Sequence, residues 1–136
     1  MKSHQIKHTE VLKFILAGRS LFTLRNPKSG NRFTFKVKHK VDDVYFVSVL
    51  TGPDVYQFLG TIKNQKFTLS KSSKISREAQ SFRVFDYVFS NLCAGTLPEF
   101  IEIWHEGKCG KCGRTLTVPV SIETGFGPEC QKRLNR

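Results

Sequence analysis

Strict alternation of apolar and polar side chains between residues 32 and 38 constrains the fold more than any other feature of the chain. Phe33, Phe35 and Val37 fall on one side of an extended segment, and basic or polar residues fall on the other. This pattern predicts a strand with one buried side and one solvent-facing side. Further β-rich segments occur at 21–24, 44–50, 55–62 and 66–70. The turns between them are short, so we expect an antiparallel meander.

Two helices are predicted, one before and one after these strands. Thr9 can cap a first helix that stops at Gly18, and Ser76 can cap a second helix that ends at Gly95. The second helix carries apolar residues at three- and four-residue spacing, namely Ala79, Phe82, Phe85, Phe89, Leu92 and Cys93. A last strand at 97–104 completes the order α-β-β-β-β-β-α-β. We therefore expect an α+β fold with an antiparallel sheet.

The cysteines point to a metal site. Three of the four lie in the last 28 residues, and Cys109 and Cys112 form a C-x-x-C pair, whose spacing lets two thiolates hold one ion. Cys130 follows after 17 intervening residues. Pro128 suits the first position of a short helix, where backbone N–H groups lower the pKa of the Cys130 thiol. We predict a structural Zn²⁺ held by these three thiolates.

Tetrahedral zinc needs a fourth ligand, and the sequence offers two candidates. His105 lies four residues before Cys109, at the end of the predicted last strand. Cys93 is the alternative, but it falls on the apolar side of the second helix, where a buried thiol behaves as a small hydrophobic group. The spacing favours His105. We expect a basic α+β domain over residues 1–104 and a small treble-clef-like zinc module over residues 105–136.

The C-terminal segment also resembles a known type of domain. Residues 105–119, 121–123 and 125–130 fit the pattern C-x-x-C-G-R-x-L-T-x-P-x-S-I-x-x-G-x-G-P-x-C, with flanking residues. This pattern is similar to that of a zinc-binding domain of unknown function found in bacteriophage and bacterial proteins. The resemblance implies a phage or prophage origin and a metal-stabilised fold, and it implies no activity.

Positive charge is concentrated at one end of the chain. The formal net charge is +11, and residues 1–40 hold ten lysines and arginines but only one acidic residue. Such a field attracts polyanions through the release of counterions. The imbalance indicates nucleic acid as a partner and excludes a protein that mimics the charge of DNA.

The predicted strand at 32–38 offers a surface for that partner. Side chains two residues apart share a face at steps of about 7 Å, so the bases on this strand can follow a phosphate backbone. The candidate nucleic-acid-binding residues are Arg25, Lys28, Arg32, Lys36, Lys38, Lys40, Lys111 and Arg114. Bases could also stack on exposed aromatic rings, for which Tyr45, Tyr56 and Trp104 are candidates. Each ring could instead pack in the core, and for Trp104 core packing is favoured.

These features favour a binding protein over an enzyme. The sequence contains no phosphate-binding glycine loop, no metalloprotease helix motif and no nucleophile elbow. No apolar run reaches the length of a membrane span, so we expect a cytoplasmic protein, in the host cell if a phage encodes it. We predict a phage-type accessory protein that binds nucleic acid mainly through phosphate contacts. The alternative is a protein-interaction module, such as an anti-defence inhibitor that docks on a host protein or nucleoprotein complex.

Overall fold

The computed structural model describes residues 5–106 and 108–111. Two helices and six strands follow one another in the predicted order. They are α1 (His8–Ile15), β1 (Arg19–Arg25), β2 (Arg32–Val41), β3 (Val44–Gly52), β4 (Val55–Lys63), β5 (Lys66–Leu69), α2 (Gln80–Ala94) and β6 (Glu102–His105). The α+β prediction is confirmed.

All six strands form one antiparallel sheet with the order β5-β4-β3-β2-β1-β6. The first five strands form the meander expected from their short turns, and β6 returns from α2 to pair with β1. Tight hairpins place Asp42, Asp54, Asn64 and Gln65 at positive φ angles. These left-handed conformations match the right-handed twist of the strands that the hairpins join.

A phenylalanine-rich core lies between the sheet and both helices. Phe85 of α2 contacts the sheet through Phe35 and Phe67, with ring centroids 5.0 and 4.6 Å apart. Phe14 of α1 packs edge-on against Phe22 of β1. Burial of each such side chain stabilises the fold by about 1.5–3 kcal/mol. Both helices therefore cover the same face of the sheet.

The helices begin at other residues than those predicted. The N-caps are Lys7 and Ala79, neither of which makes a side-chain capping hydrogen bond, and Thr9 lies inside α1. The buried face of each helix, rather than a cap, decides where it forms. At the other end, α1 stops at Ile15, before Gly18, whereas α2 ends as predicted at Gly95, which has a φ of 72°.

Gly60 allows β4 and β5 to approach each other closely. A Cβ atom at this position would overlap the carbonyl oxygen of Thr68 on the neighbouring strand. Gly60 also follows an irregularity in the β3–β4 pairing, after which Leu59 and Ile62 both point into the core. The glycine thus keeps the short edge strand β5 in the sheet.

The N-terminal segment and the start of the C-terminal segment both attach to the β1–β6 side of the sheet. Gln5 forms a bridge with Trp104 on β6, and the N–H of Ile6 donates to the Ile103 carbonyl. The N–H of Arg19 donates to the Gly110 carbonyl at 2.8 Å. The predicted boundary between residues 104 and 105 thus falls within β6. Neither helix of the described residues is long and apolar enough to cross a membrane.

Candidate nucleic-acid interface and zinc ligands

The face of the sheet opposite the two helices, here called the open face, carries a row of basic side chains. No helix or strand of residues 5–106 and 108–111 covers it. On β2, Phe35 and Val37 are fully buried, and the residues that alternate with them point the other way. The basic residues of this strand, here called the basic row, are Arg32, Lys36, Lys38 and Lys40, and all are exposed.

An aromatic group lies beside the basic row. Phe46 is directly opposite Lys38 in the β2–β3 pairing, and 38% of it is exposed. Phe58 packs against it edge-on, with ring centroids 5.4 Å apart. Tyr56 completes the group, and the Lys36 ammonium lies 4.1 Å from the centre of its ring. We call Phe46, Tyr56 and Phe58 the aromatic group.

Two lysines of the basic row contact these rings. In addition to Lys36 over Tyr56, the Lys40 ammonium lies 5.9 Å from the Phe46 ring centre. Pairing is irregular between His39 and Val41, yet the Lys40 side chain still reaches the open face. The ammonium groups and rings therefore form one continuous surface on β2, β3 and β4.

Tyr45, one of the predicted stacking residues, faces the other way. Its hydroxyl donates a hydrogen bond of 3.0 Å to the Leu16 carbonyl, and its ring packs against the core. Burial, with a smaller contribution from Asp43, raises the pKa of Tyr45 above its usual value. Of the two alternatives for this position, the structure shows core packing, because Tyr45 pairs with the buried Ile62.

The β1–β6 side of the open face carries two carboxylates, those of Glu102 and Glu106. Glu102 forms an ion pair with Arg25 at 3.0 Å and accepts a hydrogen bond from the Trp104 indole N–H at 3.0 Å. Glu106 accepts a hydrogen bond from the Thr23 hydroxyl at 2.7 Å. The charge of Glu102 is offset by Arg25, whereas Glu106 forms no ion pair with a residue of the described part of the chain. Trp104 is half-buried, with its indole N–H bound to Glu102.

A carboxylate at this side also affects the pKa of Tyr56 in the aromatic group. Burial raises the pKa of Tyr56, and the carboxylates of Glu106 and Asp54 raise it further. The phenol therefore stays neutral at physiological pH. A neutral ring is suited to stacking when the Lys36 ammonium moves aside.

Lys28 and Lys111, two further predicted binding residues, lie near opposite ends of the basic row. The Lys28 ammonium, in the β1–β2 turn, lies 4.1 Å from the Phe100 ring centre. The Lys111 carbonyl lies close to Gly18, at the end of the sheet where Arg19 pairs with Lys38. Arg114 lies outside the described residues.

Four basic or aromatic residues of the open face were not predicted. Phe46 and Phe58 belong to the aromatic group, while Lys63 and Lys66 pair across β4 and β5. Lys63 follows the fully buried Ile62, so it points to the open face. Alternation along β4 could have identified Lys63 once Ile62 was placed in the core.

Two of the predicted zinc ligands are described, and both are buried. His105 is the last residue of β6 and is 1% exposed, with its ring centroid 6.1 Å from that of Phe14. Cys109 is fully buried in the same core cluster. No group of three or more candidate ligands occurs within residues 5–106 and 108–111. Because Cys112 and Cys130 lie outside these residues, the four-ligand site stays a prediction.

Cys93, the alternative fourth ligand, is not on the buried side of α2. The residue is exposed, and its thiol lies 3.8 Å from the Gln65 carbonyl in the β4–β5 turn. Desolvation raises the pKa of this thiol, which disfavours the thiolate that binds metal. The Gly110 carbonyl next to Cys109 contacts β1, and three strand spacings of about 4.8 Å separate β1 from β4. Cys93 therefore lies several strands away from the segment that contains Cys109, and the choice between His105 and Cys93 as fourth ligand stays a prediction.

Comparison with known proteins gives one match. Residues 104–135 match a family of unknown function, DUF6011. A C-terminal domain of unknown function thus lies in this segment. The match covers less than half of the chain and carries no zinc-binding identity. No curated protein and no solved structure matches the chain.

Proposed function

We propose that this protein binds nucleic acid through the open face of its sheet, mainly by contacts between the basic row and phosphate groups. The observation that carries the proposal is the arrangement of Lys36, Lys38 and Lys40 along one exposed strand face. None of the three forms an ion pair with a residue of the described part of the chain. Their charges are therefore available to a polyanion.

Phosphate contacts account for this surface better than base recognition in a groove does. Lysine is a flexible point charge, whereas base reading in duplexes relies mostly on bidentate side chains carried by an inserted helix or ribbon. The lysines instead lie two residues apart on a broad sheet, and the whole chain carries a formal charge of +11. Counterion release from the nucleic acid then supplies most of the affinity.

We propose a structural role for zinc bound by His105, Cys109, Cys112 and Cys130. Burial of His105 and Cys109 beside α1 and β1 supports this ligand set, because a structural ion needs a closed site. The ion would attach the C-terminal segment to the start of β1, where Gly110 already accepts a hydrogen bond. Lys111 and Arg114 would then add positive charge near the basic row.

Charge reversal tests the proposed binding surface. The double variant Lys36→Glu and Lys38→Glu should lower affinity for a fluorescein-labelled oligonucleotide about 100-fold, measured by fluorescence anisotropy. The matched control reverses Lys71 and Lys74, which are exposed in the loop after β5 and away from the basic row. The affinity of the control variant for the oligonucleotide should fall by less than about threefold. Equal losses would contradict the proposal, and the absence of any binding would favour the protein-docking alternative.

Metal analysis tests the proposed ligand set. The purified wild-type protein should contain one zinc ion per chain, and Cys112→Ser should remove it. Cys93→Ser is the matched control and should retain the ion, since Cys93 lies at the β4–β5 turn. Zinc retained by the Cys112 variant, or lost from the Cys93 variant, would show that the ligand set is different.

The proposal also includes the origin and the cellular location of the protein. The C-terminal resemblance supports a small accessory protein of phage type that acts in the cytoplasm of the host cell. We propose a binding role for the open face because it offers exposed cations and rings.

A further inference from the structure

Phosphate binding alone does not account for the rings on the open face. A sheet that only attracted a polyanion would need lysines and polar residues there. Instead, Phe46 is exposed beside the basic row, and Phe58 and Tyr56 continue the apolar surface on β4. These rings face the same side as the lysines, where bases attached to bound phosphates would lie.

The register of the strands relates each lysine to a ring. Lys38 is directly opposite Phe46, so their backbones are about 4.8 Å apart. Lys36 is opposite Ser48, which in turn is opposite Phe58 on the next strand. A backbone that follows β2 would therefore place successive bases across β3 and β4, over the aromatic group.

Only an unpaired strand can use such a surface. In a duplex the base faces are stacked on one another, so a broad sheet contacts phosphates and leaves the rings without a partner. In a single strand the bases can turn away from the backbone and stack on aromatic side chains.

The lysines that cover the rings do not prevent stacking. An ammonium over an exposed ring contributes less than about fivefold to an equilibrium, whereas stacking of one base contributes about fivefold to 150-fold. A base can therefore displace Lys36 from Tyr56, or Lys40 from Phe46. The displaced ammonium remains next to the base, where the phosphate lies.

We infer that the open face binds single-stranded nucleic acid, with phosphates along the basic row and bases stacked on the aromatic group. This inference rests on the proposed function and specifies its ligand. Glu102 and Glu106 border the site on the β6 side, so the strand lies over β2, β3 and β4. The basic row from Arg32 to Lys40 spans about 27 Å, enough for about four to six nucleotides.

The experiment compares a labelled 12-nucleotide single strand of mixed sequence with the 12-base-pair duplex of the same sequence. Fluorescence anisotropy of the full chain should show at least about tenfold tighter binding of the single strand. Phe46→Ala and Tyr56→Ala should each weaken single-strand binding by about tenfold and leave duplex binding unchanged. Tyr87→Ala is the matched control, since Tyr87 is 51% exposed on α2. This variant should change neither the affinity for the single strand nor that for the duplex.

Circular dichroism and thermal melting establish that each variant is folded, and Phe46→Tyr should retain binding because it keeps the ring. The inference is overturned if the single strand and the duplex bind with equal affinity and the ring variants bind as tightly as the wild type. If Lys36→Glu with Lys38→Glu still abolishes binding in that case, the proposed function stands without stacking. If neither the lysine nor the ring variants alter affinity, both proposals fail.

Discussion

Removing lysines from the basic row should weaken the salt dependence of nucleic-acid binding in steps. Each cation that contacts a phosphate releases counterions, so the logarithm of the binding constant falls linearly with the logarithm of the salt concentration. The slope is therefore proportional to the number of contacts between cations and phosphates. Lys36→Ala and Lys38→Ala are suitable changes, because both side chains are exposed and their neighbours Phe35 and Val37 keep the core intact.

The structure gives the size of the effect. The basic row presents four cations, and on a single strand each contact contributes about −0.7 to the slope, or about −2.8 in total. The double alanine variant should retain about −1.4. Between about 50 mM and about 200 mM salt, affinity should then fall about 50-fold for the wild type but only about sevenfold for the variant.

Anisotropy titrations at several salt concentrations measure these slopes with the same labelled strand. Lys71→Ala with Lys74→Ala is the control, and its slope should equal that of the wild type. A double variant of Lys36 and Lys38 whose slope also equals the wild-type value would refute the reasoning. In that case phosphates would be held elsewhere, and the basic row would only increase solubility.

Three further predictions concern the scaffold, and each is measured by chemical or thermal denaturation. Gly60→Ala should destabilise the fold by about 3 kcal/mol, because its Cβ would overlap the Thr68 carbonyl; an unchanged midpoint would contradict the observed strand spacing. Gln65→Gly should stabilise by about 0.5 kcal/mol, since glycine removes the strain of a φ of 62° but adds freedom to the unfolded chain; a lower melting temperature would argue against this balance. Tyr45→Phe should destabilise by about 1 kcal/mol by removing the hydrogen bond to Leu16. Because burial raises the pKa of Tyr45 above 10.0, that contribution is present below pH 10 and should be lost as the pH rises through the raised value. If the stability difference between Tyr45→Phe and the wild type stays the same at higher pH, the hydroxyl is not its cause.

The meander was predictable because local signals agree with one another along it. Phe33, Phe35 and Val37 alternate with basic residues, and each strand ends at a short turn whose residues tolerate positive φ. The helix starts were not predictable in the same way. Thr9 and Ser76 are good capping residues, but the positions of the buried Phe14 and Phe85 decide where the helices lie.

The two components of the candidate interface differ in how clearly the sequence shows them. Lys36 and Lys38 stand out, because on β2 the apolar residues occupy only one side. On β3 both sides are apolar, so local pattern could not assign Phe46 to the open face or Tyr45 to the core. That assignment depends on the register with β2, which is a long-range property. The pairing of β6 with β1, which brings Glu102 to Arg25, is likewise invisible in local sequence.

A sheet face that contains aromatic residues and that no helix or strand of residues 5–106 and 108–111 covers must be kept soluble, and lysines over rings achieve this. Solubility alone, however, would be served by lysines anywhere on the face. Here Lys38 is opposite Phe46, and Lys36 and Lys40 reach Tyr56 and Phe46, whereas the acidic residues lie at the β6 side. Positive charge and aromatic rings thus coincide on three adjacent strands. A ligand with regularly spaced anions and flat apolar groups fits both features, and single-stranded nucleic acid has both.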